Sequence, residues 1–176
     1  MPEELAQEKL AETNPDFDAP DFETPNFETP DFEKVVASVS AGVLETMFFE
    51  EAVESACNHA WIESALSVHV RFDGSHTGEF LMSVSPGAAQ CIACGFLGID
   101  PEELLEGQCG QVLLELTNIL CGAVMSHLFP ESSLNLDPPE AVPSGAVPPG
   151  SMHRCFQLPD GPVAVSIQLF QEPERA

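Results

Sequence analysis

Positively charged side chains are scarce in this chain of 176 residues, which has five lysines and arginines against 29 aspartates and glutamates. The formal net charge is -24. A nucleic-acid-binding surface needs a cluster of basic side chains that contacts the phosphate backbone, and the sequence contains no such cluster. We therefore do not expect nucleic acid as a partner.

Long apolar runs are also missing from the sequence. A membrane-spanning helix needs about 18 consecutive apolar residues, and no stretch reaches that length, so we expect no membrane insertion. The first residues, MPEELAQEKLAE, lack the basic start and apolar centre of a signal peptide. The sequence thus favours a cytoplasmic protein with one folded core and a tail.

Motifs for metal binding and nucleophilic catalysis are absent as well. Cys91 and Cys94 have the two-residue spacing of many metal or redox pairs, but no second Cys or His pair accompanies them at finger-like spacing. The five histidines are scattered, and no glycine-rich phosphate loop is visible. We expect reduced, buried thiols and no metal or cofactor of the chain's own.

A pentapeptide repeat fills residues 15–34, which read PDFDA PDFET PNFET PDFEK. A proline at every fifth position prevents a continuous helix, and the acidic residues repel one another. We therefore predict a disordered acidic arm over residues 1–34, a folded domain over 35–171 and a tail over 172–176. The arm either solvates the chain or uses its evenly spaced phenylalanines as a docking peptide.

Hydrophobic periodicity predicts the elements of the folded domain. Residues 65–72 and 78–85 alternate and pair as a hairpin with a five-residue loop, and residues 151–159 and 162–170 form a second hairpin across Asp160-Gly161. Helical patterns occupy residues 35–56, 88–96 and 112–129, and the proline-rich segment 138–149 is predicted as a loop. The fold class is α+β, an antiparallel sheet built from two hairpins and packed against helices.

The segment Val112 to Phe129, VLLELTNILCGAVMSHLF, contains the candidate site. At 100° per residue, its polar residues fall within about 60° of Glu115 on one face of the helix, and a stripe of leucines faces the other way. His127 falls with the leucines, so we expect a core histidine. The residues on the polar face are Gln111, Glu115, Asn118, Gly122 and Ser126.

A solvated helix face would carry similar residue types, but two details favour a functional site. Asn118 is a poor mid-helix residue, and Gly122 costs roughly 1 kcal/mol against alanine while leaving a low surface for a partner. A carboxamide such as that of Asn118 can hold a water in line with a phosphorus atom. The neighbouring Glu115 can pair with a cation on the partner and fix the docking register.

Five segments of the sequence, taken in their order along the chain, resemble the CheX-like members of the CheC/CheX/FliY group of chemotaxis phosphatases. The resemblance spans residues 35–171 and leaves the repeat arm unexplained. It rests on the segments VLETMFFEEA (43–52), FLMSVS (80–85), GAAQCIACGFLGI (87–99), DPEELLEG (100–107) and ELTNILCGAVMSHL (115–128).

The resemblance implies dephosphorylation of a CheY-type response regulator. Glu115 would pair with the regulator's active-site lysine, Asn118 would orient the attacking water, and Mg²⁺ would be held by the regulator. Gln111, Gly122 and Ser126 would then form the surrounding docking face.

CheC-type members have a second motif in the first helix, but this chain has Phe48 three residues after Glu45, where asparagine would be needed. The resemblance therefore implies a CheX-like protein with one site, and it allows a homodimer through sheet edges. The competing hypothesis is a noncatalytic binding module that sequesters a receiver domain or binds a partner through its acidic arm.

Overall fold

The computed structural model describes residues 30–57, 59–145 and 147–170. Within these ranges the chain forms three α-helices and seven β-strands, with 3-10 turns at His59–Ser64 and Pro101–Glu103. The helices are α1 (Pro30–Phe48), α2 (Pro86–Leu97) and α3 (Gln108–Leu128). The strands are β1 (Val53–Ser55), β2 (Leu66–Gly74), β3 (Thr77–Val84), β4 (Leu134–Leu136), β5 (Glu140–Val142), β6 (Met152–Leu158) and β7 (Gly161–Phe170).

The strands form one antiparallel sheet in the order β1-β6-β7-β3-β2-β4, and β5 also pairs with β2. Both predicted hairpins are present, and β3 pairs with β7 to join them at the centre. In the first hairpin the pairing ends at Phe72 opposite Gly78, which leaves the predicted five-residue connection. The α+β fold class predicted from the sequence is therefore confirmed.

Three short strands were not predicted: β1, which lies in the segment predicted as the first helix, and β4 and β5 after α3. The segment after α3 was predicted as a loop from residue 138 onward, but β5 pairs there with residues 67–69 of β2. Just before it, β4 pairs with residues 72–74 of the same strand. Each of the two strands has three residues, which is too short to show an alternating pattern. The sheet is consequently wider than two hairpins alone would make it.

The first helix differs from the prediction at both ends. It begins at Pro30, so residues 30–34 of the predicted arm belong to α1. Phe32 packs on Phe129 with ring centroids 6.2 Å apart. The helix ends at Phe48 rather than at residue 56, because Phe49 has a left-handed backbone with φ 58° and Glu50 N–H bonds to the Leu44 carbonyl at 3.3 Å. The rest of the predicted arm and the predicted tail lie outside the described residues.

The hydrophobic core lies between the helices and one face of the sheet. On the central strands, valines, phenylalanines and a methionine occupy alternate positions, belong to this core and face α3. Helix α3 in turn packs against both α1 and α2. Among the described residues, α3 alone is long and apolar enough to span a membrane. Its place between two helices and a sheet accounts for that apolar composition.

One cysteine pair contradicts the expectation of reduced thiols. Cys57 and Cys155 form a disulfide with their Cα atoms 5.3 Å apart. The pairing of β1 with β6 places Ser55 opposite Cys155, and Cys57 follows two residues later. The sequence separation of 98 between the two cysteines hides this proximity from any local pattern. The other four cysteines are free.

Candidate active site on helix α3

Local hydrogen bonds fix where α3 begins. Gly107 precedes the helix with φ 85°, a left-handed conformation that glycine adopts without strain. The Gln108 side chain accepts a hydrogen bond from the Leu105 backbone N–H at 2.7 Å. The polar face therefore starts one turn inside an anchored helix end.

The buried side of α3 fixes its rotation about the helix axis. Leu113, Leu116, Leu120 and Val124 are fully buried, as the periodicity predicted. Thr117 is buried too, and its hydroxyl donates to the Leu113 carbonyl at 2.6 Å, which satisfies it within the helix. With this face packed against the core, the opposite face must point outward.

The predicted polar face does point outward. Gln111, Glu115 and Ser126 are exposed, and Asn118 and Gly122 are half-buried beside them. One helical turn separates Glu115 from Asn118, so their Cβ atoms lie about 5–6 Å apart. Within the described part of the chain, neither side chain forms a hydrogen bond or an ion pair. The carboxylate and the carboxamide are both available to a partner.

Two of the predicted docking residues have further contacts. The Ser126 hydroxyl donates to the Gly122 carbonyl at 2.7 Å, so it is already engaged by its own helix. A Cβ atom added at Gly122 would lie 3.9 Å from Leu136 Cδ1 of β4, an ordinary van der Waals distance. Alanine would therefore fit at position 122, so packing does not require glycine there.

His127 is not a core residue, contrary to the prediction. It is exposed, and its Nδ1 lies 2.8 Å from the Ala123 carbonyl one turn earlier. It lines a groove of about 500 Å³ between α1 and α3, together with Ala123, Val39, Val43 and Met47. At the last turn of α3, the side of the helix that was predicted to be buried therefore faces this groove and not the core.

The comparison with protein families gives a match to the family described as "Chemotaxis phosphatase CheX" over residues 66–154, which is 89 residues and just over half of the 176. The chain belongs to the CheX family. The matched region includes both β2 and β3, α2, the whole of α3 and the start of β6. No curated protein matches the sequence.

Solved structures of CheX proteins have the same fold. Chemotaxis protein CheX from Vibrio vulnificus is 18% identical with a TM-score of 0.67, covering 80% of this chain and 97% of its own. CheX from Desulfovibrio desulfuricans is 16% identical with a TM-score of 0.63, covering 80% and 99%. The Borrelia burgdorferi structure, a CheX-CheY-BeF3-Mg²⁺ complex, is 20% identical with a TM-score of 0.63, covering 80% and 99%.

The first helix of this CheX-family chain does not offer a second copy of the pair. Glu45 is exposed, but Phe48 is fully buried and its ring stacks on Phe96 at 5.4 Å between centroids. Position 48 thus belongs to the core and not to the surface. An asparagine there would point away from any partner.

The free cysteines do not form a competing site. The Cys91 thiol donates to Glu50 at 3.0 Å, and burial followed by that hydrogen bond raises the pKa of Cys91 to about 12. Burial also raises the pKa of Cys121 to about 12. A protonated thiol is a weak nucleophile and a poor metal ligand. Across the described ranges, no three His, Cys, Asp or Glu side chains are grouped to hold a metal ion.

Proposed function

We propose that this CheX-family protein dephosphorylates the aspartyl phosphate of a CheY-type response regulator in chemotaxis or a related two-component pathway. The main support for this proposal is the pair of Glu115 and Asn118, whose side chains are adjacent on the outer face of α3 and have no partner among the described residues. The family description and the Borrelia burgdorferi complex of CheX with CheY, BeF3 and Mg²⁺ support the choice of substrate.

Asn118 positions the attacking water in this proposal. A carboxamide cannot act as a general base at neutral pH, but its oxygen accepts and its NH₂ group donates hydrogen bonds, so it can hold a water in line with the phosphorus atom. Correct positioning alone is worth several kcal/mol of barrier. The half-buried position of Asn118 restricts its side chain and favours this role.

Glu115 fixes the docking register by pairing with a lysine of the regulator. A charge-assisted hydrogen bond of this kind is stronger than a neutral one, especially when the interface excludes water. We assign Mg²⁺ to the regulator, where it neutralises charge on the phosphoryl oxygens. Gln111, Gly122 and Ser126 border the pair and form the surrounding contact surface.

The decisive experiment compares phosphate loss from a panel of phosphorylated receiver domains with wild-type protein and Asn118→Ala. We expect the variant to lose at least about a hundredfold in rate, the penalty typical of lost positioning, while it still binds the receiver. Gln168→Ala is the matched control, since it removes a carboxamide that bonds to the Pro149 carbonyl on the sheet face opposite the core residues Val165 and Ile167, and it should keep the wild-type rate. An unaffected rate in Asn118→Ala with intact binding would favour the noncatalytic module that sequesters a receiver.

Glu115 has a separate test. Glu115→Ala should weaken receiver binding as well as the rate, because it removes the proposed ion pair. Equal binding by the variant and the wild type would contradict the salt-bridge role while leaving Asn118 unaffected. Calorimetric titration with the receiver bound to beryllofluoride and Mg²⁺ measures this affinity without turnover.

Net charge makes a further prediction about association. This chain has a formal net charge of -24, and the phosphorylation pocket of a receiver is itself acid-rich, so the two proteins repel at long range. Salt screens that repulsion, with a Debye length of about 10 Å at 0.1 M. Stopped-flow association should therefore become faster as ionic strength rises, whereas oppositely charged partners would show the reverse.

We also propose that the protein acts in the cytoplasm, where response regulators receive their phosphate, and that it forms a homodimer through its sheet edges. The edge strand β1 has only three residues, and β4 and β5 share the opposite edge. Sedimentation equilibrium tests the dimer directly. A monomer at micromolar concentration would contradict it.

A further inference from the structure

One exposed aromatic residue is costly in two ways. Phe49 is 83% exposed, and its φ of 58° is the only positive value at a non-glycine position in the described part of the chain. A bulky residue in this conformation is strained, and an exposed phenylalanine gains nothing from burial in the free protein. Two such costs at one position indicate a role outside the folding of this chain.

Further exposed apolar side chains lie beside Phe49. The buried ring of Phe48 stacks on Phe96, which brings together the chain neighbours of both residues. Met47 is 43% exposed, Phe96 42% and Leu97 38%. We call this surface, made of Met47, Phe49, Phe96 and Leu97, the end patch. Exposed apolar side chains gathered at the ends of two contacting helices are typical of a protein interaction site.

The end patch and the Glu115–Asn118 pair lie at the same end of the helical layer. Phe32 at the start of α1 contacts Phe129 just after α3, so the two helices run antiparallel. Phe49 lies 17 residues from Phe32, and Glu115 lies 14 residues from Phe129. At 1.5 Å per residue both are roughly 20–25 Å from that contact.

The second and third helices agree with this placement. Cys94 on α2 is close enough to Cys109 on α3 to contribute to raising the pKa of the Cys109 thiol. The Phe48–Phe96 stack joins the same half of α2 to the end of α1. The end of α1, the end of α2 and the first half of α3 therefore meet in one region.

We propose that the end patch is the apolar contact surface for the receiver domain that docks on Glu115 and Asn118. This inference rests on the proposed function and names a contact beyond the pair itself. A specific interface buries about 800 Å² on each partner, far more than one carboxylate and one carboxamide provide. Because two acidic proteins repel each other at long range, short-range apolar burial must add to the Glu115 ion pair, and the end patch lies at the same end of the helices as that pair.

The position of the end patch favours a receiver domain, and not a second copy of this chain, as its partner. A partner whose phosphoryl group reaches Asn118 covers the neighbouring end of the helical layer. The sheet edges proposed for the homodimer lie on other elements, namely β1 at one side and β4 and β5 at the other.

Phe49→Asn tests the proposal in the full chain. Asparagine accepts a left-handed backbone, so the substitution removes the ring without adding strain. Phe170→Asn is the matched control: Phe170 is 44% exposed and pairs with Thr77, next to His76, whose ring stacks on Phe129 at the opposite end of the helices. The probe is a receiver domain loaded with beryllofluoride and Mg²⁺, and the second readout is turnover of the phosphorylated receiver.

We expect Phe49→Asn to weaken receiver binding about tenfold or more, as loss of an aromatic anchor does, and to raise KM with kcat nearly unchanged. Phe170→Asn should match the wild type. Unchanged affinity in Phe49→Asn would refute the end patch while Asn118→Ala still tests the proposed function. If Phe49→Asn loses self-association while its receiver affinity is unchanged, the patch is assigned to a second copy instead. If the wild-type protein neither binds nor dephosphorylates any receiver, both proposals are refuted.

Discussion

Replacing Gly122 by alanine separates the stability of α3 from its proposed docking role. Glycine in a helix interior costs roughly 0.5–1 kcal/mol relative to alanine. The added Cβ atom would lie 3.9 Å from Leu136 Cδ1, in ordinary contact and without a clash. We therefore expect Gly122→Ala to raise the free energy of unfolding by about 1 kcal/mol, or Tm by about 4 °C for a domain of this size.

The same methyl group should reduce phosphatase activity. Gly122 lies one turn beyond Asn118, so a methyl there fills the low surface over which a docked receiver would lie. A displacement of about 1 Å at the reacting atoms can cost a hundredfold in rate. Urea unfolding and phosphate release from a phosphorylated receiver, measured on the same preparation, should move in opposite directions.

Gly42→Ala in α1 is the matched control for this prediction. A Cβ atom at Gly42 has no neighbour within 4 Å, so it should give a similar gain in stability. It lies on another helix and should leave turnover at the wild-type rate. If Gly122→Ala is stabilised and fully active, the docking role of Gly122 is wrong. If it is destabilised, the spacing to Leu136 is wrong.

Three further predictions concern stability. Cys155→Ser should cost about 4–5 kcal/mol under oxidising conditions, since the disulfide to Cys57 closes a loop across a sequence separation of 98, and urea unfolding with and without a reductant measures this. Burial raises the pKa of the Cys121 thiol from its usual value of 9.0 to about 12. The thiol therefore loses its proton at lower pH in the unfolded chain than in the folded one, and the free energy of unfolding should fall as pH rises from 9 toward 12. A free energy of unfolding that does not depend on pH, for the wild type relative to Cys121→Ala, would contradict this. Gly161→Ala should lower the free energy of unfolding by about 2–4 kcal/mol, because Gly161 has φ 140° and a Cβ atom would collide with Ser85 Oγ, and thermal unfolding tests it.

Long periodic elements were predictable from the sequence. α3 has 21 residues, enough turns for its leucine stripe to fix the orientation of Glu115 and Asn118 without tertiary information. The two hairpins follow from alternating β-formers around Asp73-Gly74 and Asp160-Gly161. These elements fix the fold class and the outward face of the candidate site.

Features that depend on distant contacts were not predictable. β1, β4 and β5 have three residues each, so pairing with a neighbouring strand, and not periodicity, makes them strands. A left-handed residue that ends a helix is usually glycine, and Phe49 gives no such signal in the sequence. His127 follows the helical period of the core leucines but lies where α1 leaves a groove open.

Burial of Phe48 has a consequence for the stoichiometry of signalling. A single substitution to asparagine could not create a second site, because it would place an amide in the core and cost about 3–5 kcal/mol in lost packing. The proposed site count is therefore fixed by the hydrophobic core and not only by the surface. Each chain would engage one receiver at a time, so the capacity to remove phosphate would scale linearly with the number of chains in the cell.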